Sequence, residues 1–243
     1  MVTRTMQQWL GTRRRRIYLM RHGEVDYFDI LGKPCKLDKL GLNAEGRLQA
    51  QDAARELAKV PLDRVVSSCM ARSVETANLV VHQRNLIVEN RDELREIEPG
   101  RLADLAQKTP DQVERLSLGA LADDLEPATR FLDGETFGSL RDRVLRCYHE
   151  LLADPKWLQL LIVAHGVVNR MLLAQVLRLP FAGLGALEQD AGCINLIDVD
   201  DAGHGLVRLL NYTPANSVKA GMELTTLERL YLQFCQRCPR PSA

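Results

Sequence analysis

Residues 13–25 read RRRRIYLMRHGEV, in which the apolar run Ile17, Tyr18, Leu19, Met20 stops at Arg21, His22 and Gly23. A short apolar run with a β-branched residue and an aromatic reads as a buried strand. The same ending recurs in residues 158–170, LQLLIVAHGVVNR, where the run to Ala164 gives way to His165 and Gly166. Two buried strands that end in a histidine and a glycine ask for one explanation.

Around them, short apolar runs alternate with longer amphipathic ones. That is the pattern of helices covering both faces of a sheet, and it predicts an α/β fold with three α-β-α layers and a mostly parallel central sheet. The first strand is expected at about residues 16–20. A helix follows from the cap residue Asn43 through EGRLQAQDAAREL, then the strand DRVVSS, the helix ARSVETANLVVHQ and the strand LIVEN. FGSLRDRVLRCYHELLA reads as a helix ending before Pro155, and VVNRMLLAQVLRL as the helix after the second His-Gly. CINLIDV and GLVRLLNY flank the turn signal DDAGHG, which predicts a hairpin with an antiparallel edge strand. His204 in that turn reads as an exposed turn residue. The tail ELTTLERLYLQFCQR reads as a helix that packs on the domain or on a second subunit, which allows a homodimer.

The 243 residues, 46% hydrophobic, suffice for one large core. The expected organisation is a basic tail over residues 1–15 and a single domain over 16–243, with a loop-rich insertion at about 91–130 interrupted by Pro99-Gly100, Pro110 and Pro127. Thirty-two basic residues balance thirty-two acidic ones, so no broad nucleic-acid or membrane surface is expected and any anion site must be local. The arginine run at 13–16 reads as a solvated arm. Six scattered cysteines without a secretory signal, and no apolar run long enough to span a membrane, point to a cytoplasmic protein. Cys235 and Cys238 have the spacing of half a zinc site, but nothing completes it, so no metal and no cofactor are expected.

In open parallel sheets, ligands bind beyond the carboxyl ends of the strands, where helix N-termini offer free N–H groups. Both His-Gly pairs fall there, and Arg72 falls in the first turn of the helix after a third strand. Arg21, His22, Arg72 and His165 are thus expected to converge on one pocket. Arginine forks match phosphoryl oxygens, and a neutral imidazole is a competent nucleophile toward phosphorus. The arginines would also keep that imidazole neutral and offset transition-state charge. A proton donor is still needed, and RDELREIEPGRL offers Glu93, Glu96 and Glu98, among which spacing does not choose.

These residues resemble the histidine phosphatase superfamily, the phosphoglycerate mutase-like family. YLMRHGE is similar to its Arg-His-Gly signature, SSCMARSVETA to its second arginine motif and LIVAHGVVNRML to its second histidine motif; LDKLGLNAEGRLQA and DGETFGSLRDRV resemble intervening segments. The resemblance runs from about residue 16 to residue 173. It implies that His22 becomes phosphohistidine, that Arg21, Arg72 and His165 hold the phosphoryl group, and that Glu96, four residues before Gly100, is the general acid. The chain departs from the family pattern at Cys69, where a proline is usual, and in EIEPGRLADL, which lacks the usual aromatic and Trp-Glu-Gly-like sequence. VDYFD also replaces the Trp-Asn pair of cofactor-dependent mutases, which favours hydrolysis. The expected function is metal-independent hydrolysis of a small phosphorylated metabolite. The alternatives are a mutase or other phosphotransferase, and a catalytically idle domain that binds a phosphorylated ligand or partner.

Overall fold

A computed structural model describes residues 14–30, 35–100, 112, 114–115 and 119–237. Its sheet has six strands in the order β3-β2-β4-β1-β5-β6. These are β1 (Arg15–Arg21), β2 (Arg64–Ser68), β3 (Val88–Arg91), β4 (Gln159–Ala164), β5 (Ile194–Val199) and β6 (Gly205–Tyr212). The long helices are α1 (Ala44–Glu56), α2 (Ala71–Val81), α3 (Phe137–Ala153), α4 (Gly166–Leu177) and α5 (Thr226–Arg237). β1, β2, β3 and β4 pair in parallel, and β5 and β6 form the hairpin at one side of the sheet.

β1 is central because both its faces are apolar. Ile17 and Leu19 belong to one core cluster with Phe137, Leu140, Trp157 and Val168, from α3, α4 and the segment before β4. Tyr18 and Met20 belong to a second cluster with Ala53, Leu57, Ala77 and Val80, from α1, its C-terminal cap and α2. Side chains along a strand alternate between faces, so one short sequence anchors both helical layers. Asn43 caps α1 by accepting from the Gly46 N–H at 2.9 Å, and Thr136 caps α3 by accepting from the Ser139 N–H at 3.1 Å.

Two expected boundaries move. β1 begins at Arg15, so this residue belongs to the sheet and not to the basic tail. Its buried guanidinium donates to the carbonyls of Leu152 and Asp154 at 2.7 Å each and lies 4.3 Å over the Trp157 ring. Arg16 joins Asp198 of the neighbouring β5 at 2.7 Å. The strand expected at LIVEN starts later, at Val88. Residues 1–13 of the tail and 101–111 of the insertion lie outside the described residues.

The loop after β1 crosses the start of α1 at Gly23 and Gly46. A Cβ on Gly23 would collide with the Gly46 carbonyl, and a Cβ on Gly46 with the backbone of Glu24. This close approach holds α1 against the strand end. Gly46→Ala should therefore lower the unfolding free energy by about 1–3 kcal/mol, the usual range for overpacking, read as a shifted urea midpoint.

Candidate active site

β1 and β4 pair with Arg21 opposite Ala164, and β2 and β4 with Ser67 opposite Val163. The three neighbouring strands therefore end level. The residues that follow, His22, His165 and the first turn of α2, meet beyond one edge, and the imidazoles lie edge to face with centroids 5.2 Å apart. Arg72 reaches across from α2, and its Nε donates to His22 Nε2 at 3.1 Å. All four predicted residues, Arg21, His22, Arg72 and His165, are buried and adjacent.

Hydrogen bonds orient each imidazole. His22 Nδ1 lies 2.7 Å from the Gly23 carbonyl, so this nitrogen carries the proton and Nε2 presents its lone pair. His165 Nε2 is 2.8 Å from Ser68 Oγ and 3.3 Å from Ser73 Oγ. His165 Nδ1 and Arg21 Nε are buried without a hydrogen-bond partner among the described residues. Burial pushes the His22 pKa well below the usual histidine value, and Arg72 and Arg21 lower it further. His165 is lowered by burial first, then by Arg72, His22 and Arg21. Both rings are neutral at neutral pH.

The three glutamate candidates separate here. Glu96 receives the Ile97 N–H at 2.9 Å and the Val167 N–H, in the first turn of α4, at 3.1 Å. A Cβ on Gly166 would sit 3.8 Å from Glu96 Oε2 and 3.7 Å from Arg21 Nε, so this glycine lies between the two groups. No such tie joins Glu93 or Glu98 to α4. Arg143 holds the loop from below, donating to the carbonyls of Glu93 and Arg95 at 2.7 and 2.6 Å and to that of Glu96 at 3.2 Å. Arg143 also pairs with Glu135 at 2.8 Å. Burial raises the Glu135 pKa, but the hydrogen bond and charge of Arg143, together with the Glu98 N–H, outweigh it and leave this carboxyl below its usual value.

Above these groups opens a cavity of about 880 Å³ with Arg21, Arg72, Glu96 and Gly166 in its lining. The sequence from residue 17 to residue 212 matches the family model of the histidine phosphatase superfamily, branch 1. The chain belongs to the histidine phosphatase superfamily. It is 30% identical over 196 residues to the adenosylcobalamin/alpha-ribazole phosphatase of Salmonella typhimurium, covering 81% of this chain and 96% of the relative. It is 29% identical over 164 residues to a probable phosphoglycerate mutase of Proteus mirabilis, covering 68% and 75%. The crystal structure of the alpha-ribazole phosphatase from Shigella flexneri superposes with a TM-score of 0.66 at 29% identity, covering 81% of this chain and 96% of that one. The chain is a phosphatase-type member of this superfamily with the phosphoglycerate mutase-like fold.

Several hydrogen-bond partners of these residues were not assigned from sequence. Ser68 and Ser73, which bracket His165, lie inside the quoted segment SSCMARSVETA and could have been noticed as polar residues beside Arg72. Gln189 and Thr226 carried no signal: Arg21 Nη1 donates to the Gln189 carbonyl at 2.7 Å and to Thr226 Oγ1 at 3.0 Å. His204 pairs with Asp200 at 2.9 Å in the hairpin turn, as an exposed turn residue would. Cys238 lies outside the described residues.

The lowered histidine values set a sign for stability. Unfolded imidazoles take up protons below about pH 6.5 while the buried pair does not, so the unfolded state gains protons and stability falls on acidification. The urea midpoint should drop between about pH 7.5 and pH 5.5, and His165→Gln should shrink that drop. An identical drop in the variant would remove His165 as a contributor.

Proposed function

We propose that the chain is a metal-independent phosphomonoesterase that hydrolyses a small phosphorylated metabolite through a phosphohistidine on His22. The observation that carries this reading is the buried cluster at the strand ends. It has two guanidinium groups, two neutral imidazoles and two unpartnered polar atoms, Arg21 Nε and His165 Nδ1. Such a cluster matches a dianion in size and charge.

In this mechanism, phosphoryl oxygens take up the N–H groups of Arg21 and Arg72 with His165 beside them. Arg72 Nε exchanges its bond to His22 Nε2 for one to oxygen, and the freed lone pair attacks phosphorus. The N–P bond forms as the P–O bond to the leaving alkoxide breaks, and Glu96 supplies the proton that alkoxide takes. The Gly23 carbonyl stabilises the Nδ1–H of the cationic phosphoimidazole. In the second step the Glu96 carboxylate takes a proton from water, water attacks phosphorus, and His22 leaves as the neutral ring. Guanidinium groups thereby offset transition-state charge that a metal ion offsets in other phosphoryl transfers.

Transfer back to the same substrate, the activity named for the Proteus mirabilis relative, uses the same first step. The two outcomes differ in whether inorganic phosphate leaves. In a metal-free assay the wild type should release phosphate and His22→Ala should not; wild-type turnover by the variant would remove His22 as nucleophile. EDTA should leave the rate unchanged, whereas loss restored by a divalent metal would contradict the arginine-based mechanism. Glu96→Gln should slow turnover by roughly 10²–10⁴-fold, most for alkyl leaving groups, and an unchanged rate would move the acid to Glu93 or Glu98.

A further inference from the structure

A phosphoryl group fills little of a cavity of about 880 Å³. Pockets of roughly 300–1,000 Å³ hold organic ligands of many atoms, so the outer part of this one is shaped by the rest of the substrate. One wall of that lining comes from α5, which lies beyond the residues 17–212 that match the superfamily.

α5 carries Leu227, Leu230, Tyr231 and Phe234 at the spacing i, i+3, i+4, i+7, which is one face of a helix. All four line the cavity and are half-buried. Leu227 packs against the main core, whereas Leu230, Tyr231 and Phe234 belong to no core cluster. Phe28, from the loop after β1, stands opposite with its ring 6.5 Å from that of Phe234. The helix start is pinned at the phosphoryl end of the cavity, because Thr226 Oγ1 accepts from Arg21 Nη1 at 3.0 Å and lies 3.0 Å from Glu188.

Several charged groups in the lining already have partners. Arg95 pairs with Asp38, Arg143 with Glu135 and Arg170 with Glu188. Lys36 and Arg146 also border the cavity but are exposed to solvent. Asp92, Glu93 and Glu98 border it from the loop side, so the apolar and aromatic part of the wall is the α5 face with Phe28, a surface that gains free energy by covering a ring and little by covering a polyol.

We propose that the apolar face of α5, with Phe28 opposite, is the subsite for the organic half of the substrate, and that it selects phosphomonoesters of ring-bearing, apolar alcohols. This deepens the phosphatase reading and rests on it. Leu230, Tyr231 and Phe234 are its specificity-determining residues.

The test compares 2-phenylethyl phosphate with ethyl phosphate, which share a primary alkoxide leaving group and differ by the ring. Burial of a phenyl group predicts a kcat/KM at least about tenfold higher for the phenylethyl ester in wild type, expressed mainly in KM. Tyr231→Ala combined with Phe234→Ala should bring the two esters to within about threefold, and so should Phe28→Ala on the facing wall. A wild type without preference, or a preference unchanged in both variants, overturns the subsite. Calorimetric binding of the corresponding non-hydrolysable phosphonates separates the two readings. A ring preference in binding without turnover of either ester keeps the subsite and sinks the phosphatase. Turnover of both esters without preference does the reverse, and neither binding nor turnover sinks both.

Discussion

The parallel pairing of β1 with β4, in the register that sets Arg21 opposite Ala164, is the constraint on which the rest of this molecule depends. It makes two separate strands stop at the same height, so that the next residue in each is a histidine beside the other. A slip of one residue would exchange Ile17 and Leu19 with Tyr18 and Met20 between the two cores and carry His22 away from His165. The apolar alternation that builds the core is thus also what aligns the imidazoles.

Burying two guanidinium groups beside two histidines is costly unless the polar atoms find partners. Much of that requirement is met by the protein itself: Arg21 is held by the Gln189 carbonyl and Thr226, and Arg72 by the Leu37 carbonyl at 2.7 Å and by His22. The histidines respond by remaining neutral, which avoids further like charge. A chain with balanced charge overall therefore concentrates a positive field at one point, and Arg21 Nε is the donor left over to meet an anion.

The parts of this arrangement that depend on local pattern were legible in the sequence. Apolar runs marked β1, β2 and β4, glycine after histidine marked the strand ends, and arginine in a first helical turn marked Arg72. The expected convergence of four residues follows from those signals and the rule for parallel sheets. Spacing alone left Glu93, Glu96 and Glu98 level and the resemblance pointed to Glu96; the tie of Glu96 to α4 was not legible, because it joins residues far apart in the chain. The same holds for Arg143 beneath the loop and for α5, whose amphipathic spacing predicted a helix but not that its apolar face would border the cavity. Arg15 was misplaced because a run of arginines reads as solvated; the Trp157 ring and two carbonyls behind β1 help make a buried arginine there acceptable.

β1 has a further consequence for how the chain comes together. Its two neighbours are β4 and β5, which begin at Gln159 and Ile194, so the first of the described strands to be synthesised is among the last to be paired. Until more than half the chain has emerged from the ribosome, Ile17 to Met20 form an apolar strand with two open edges. Pairings this distant close slowly and expose such segments to association with other chains. The arginines at 13–16, just before that apolar run, lend the nascent segment charge during the interval, and Arg15 loses its hydration only when the sheet closes around it.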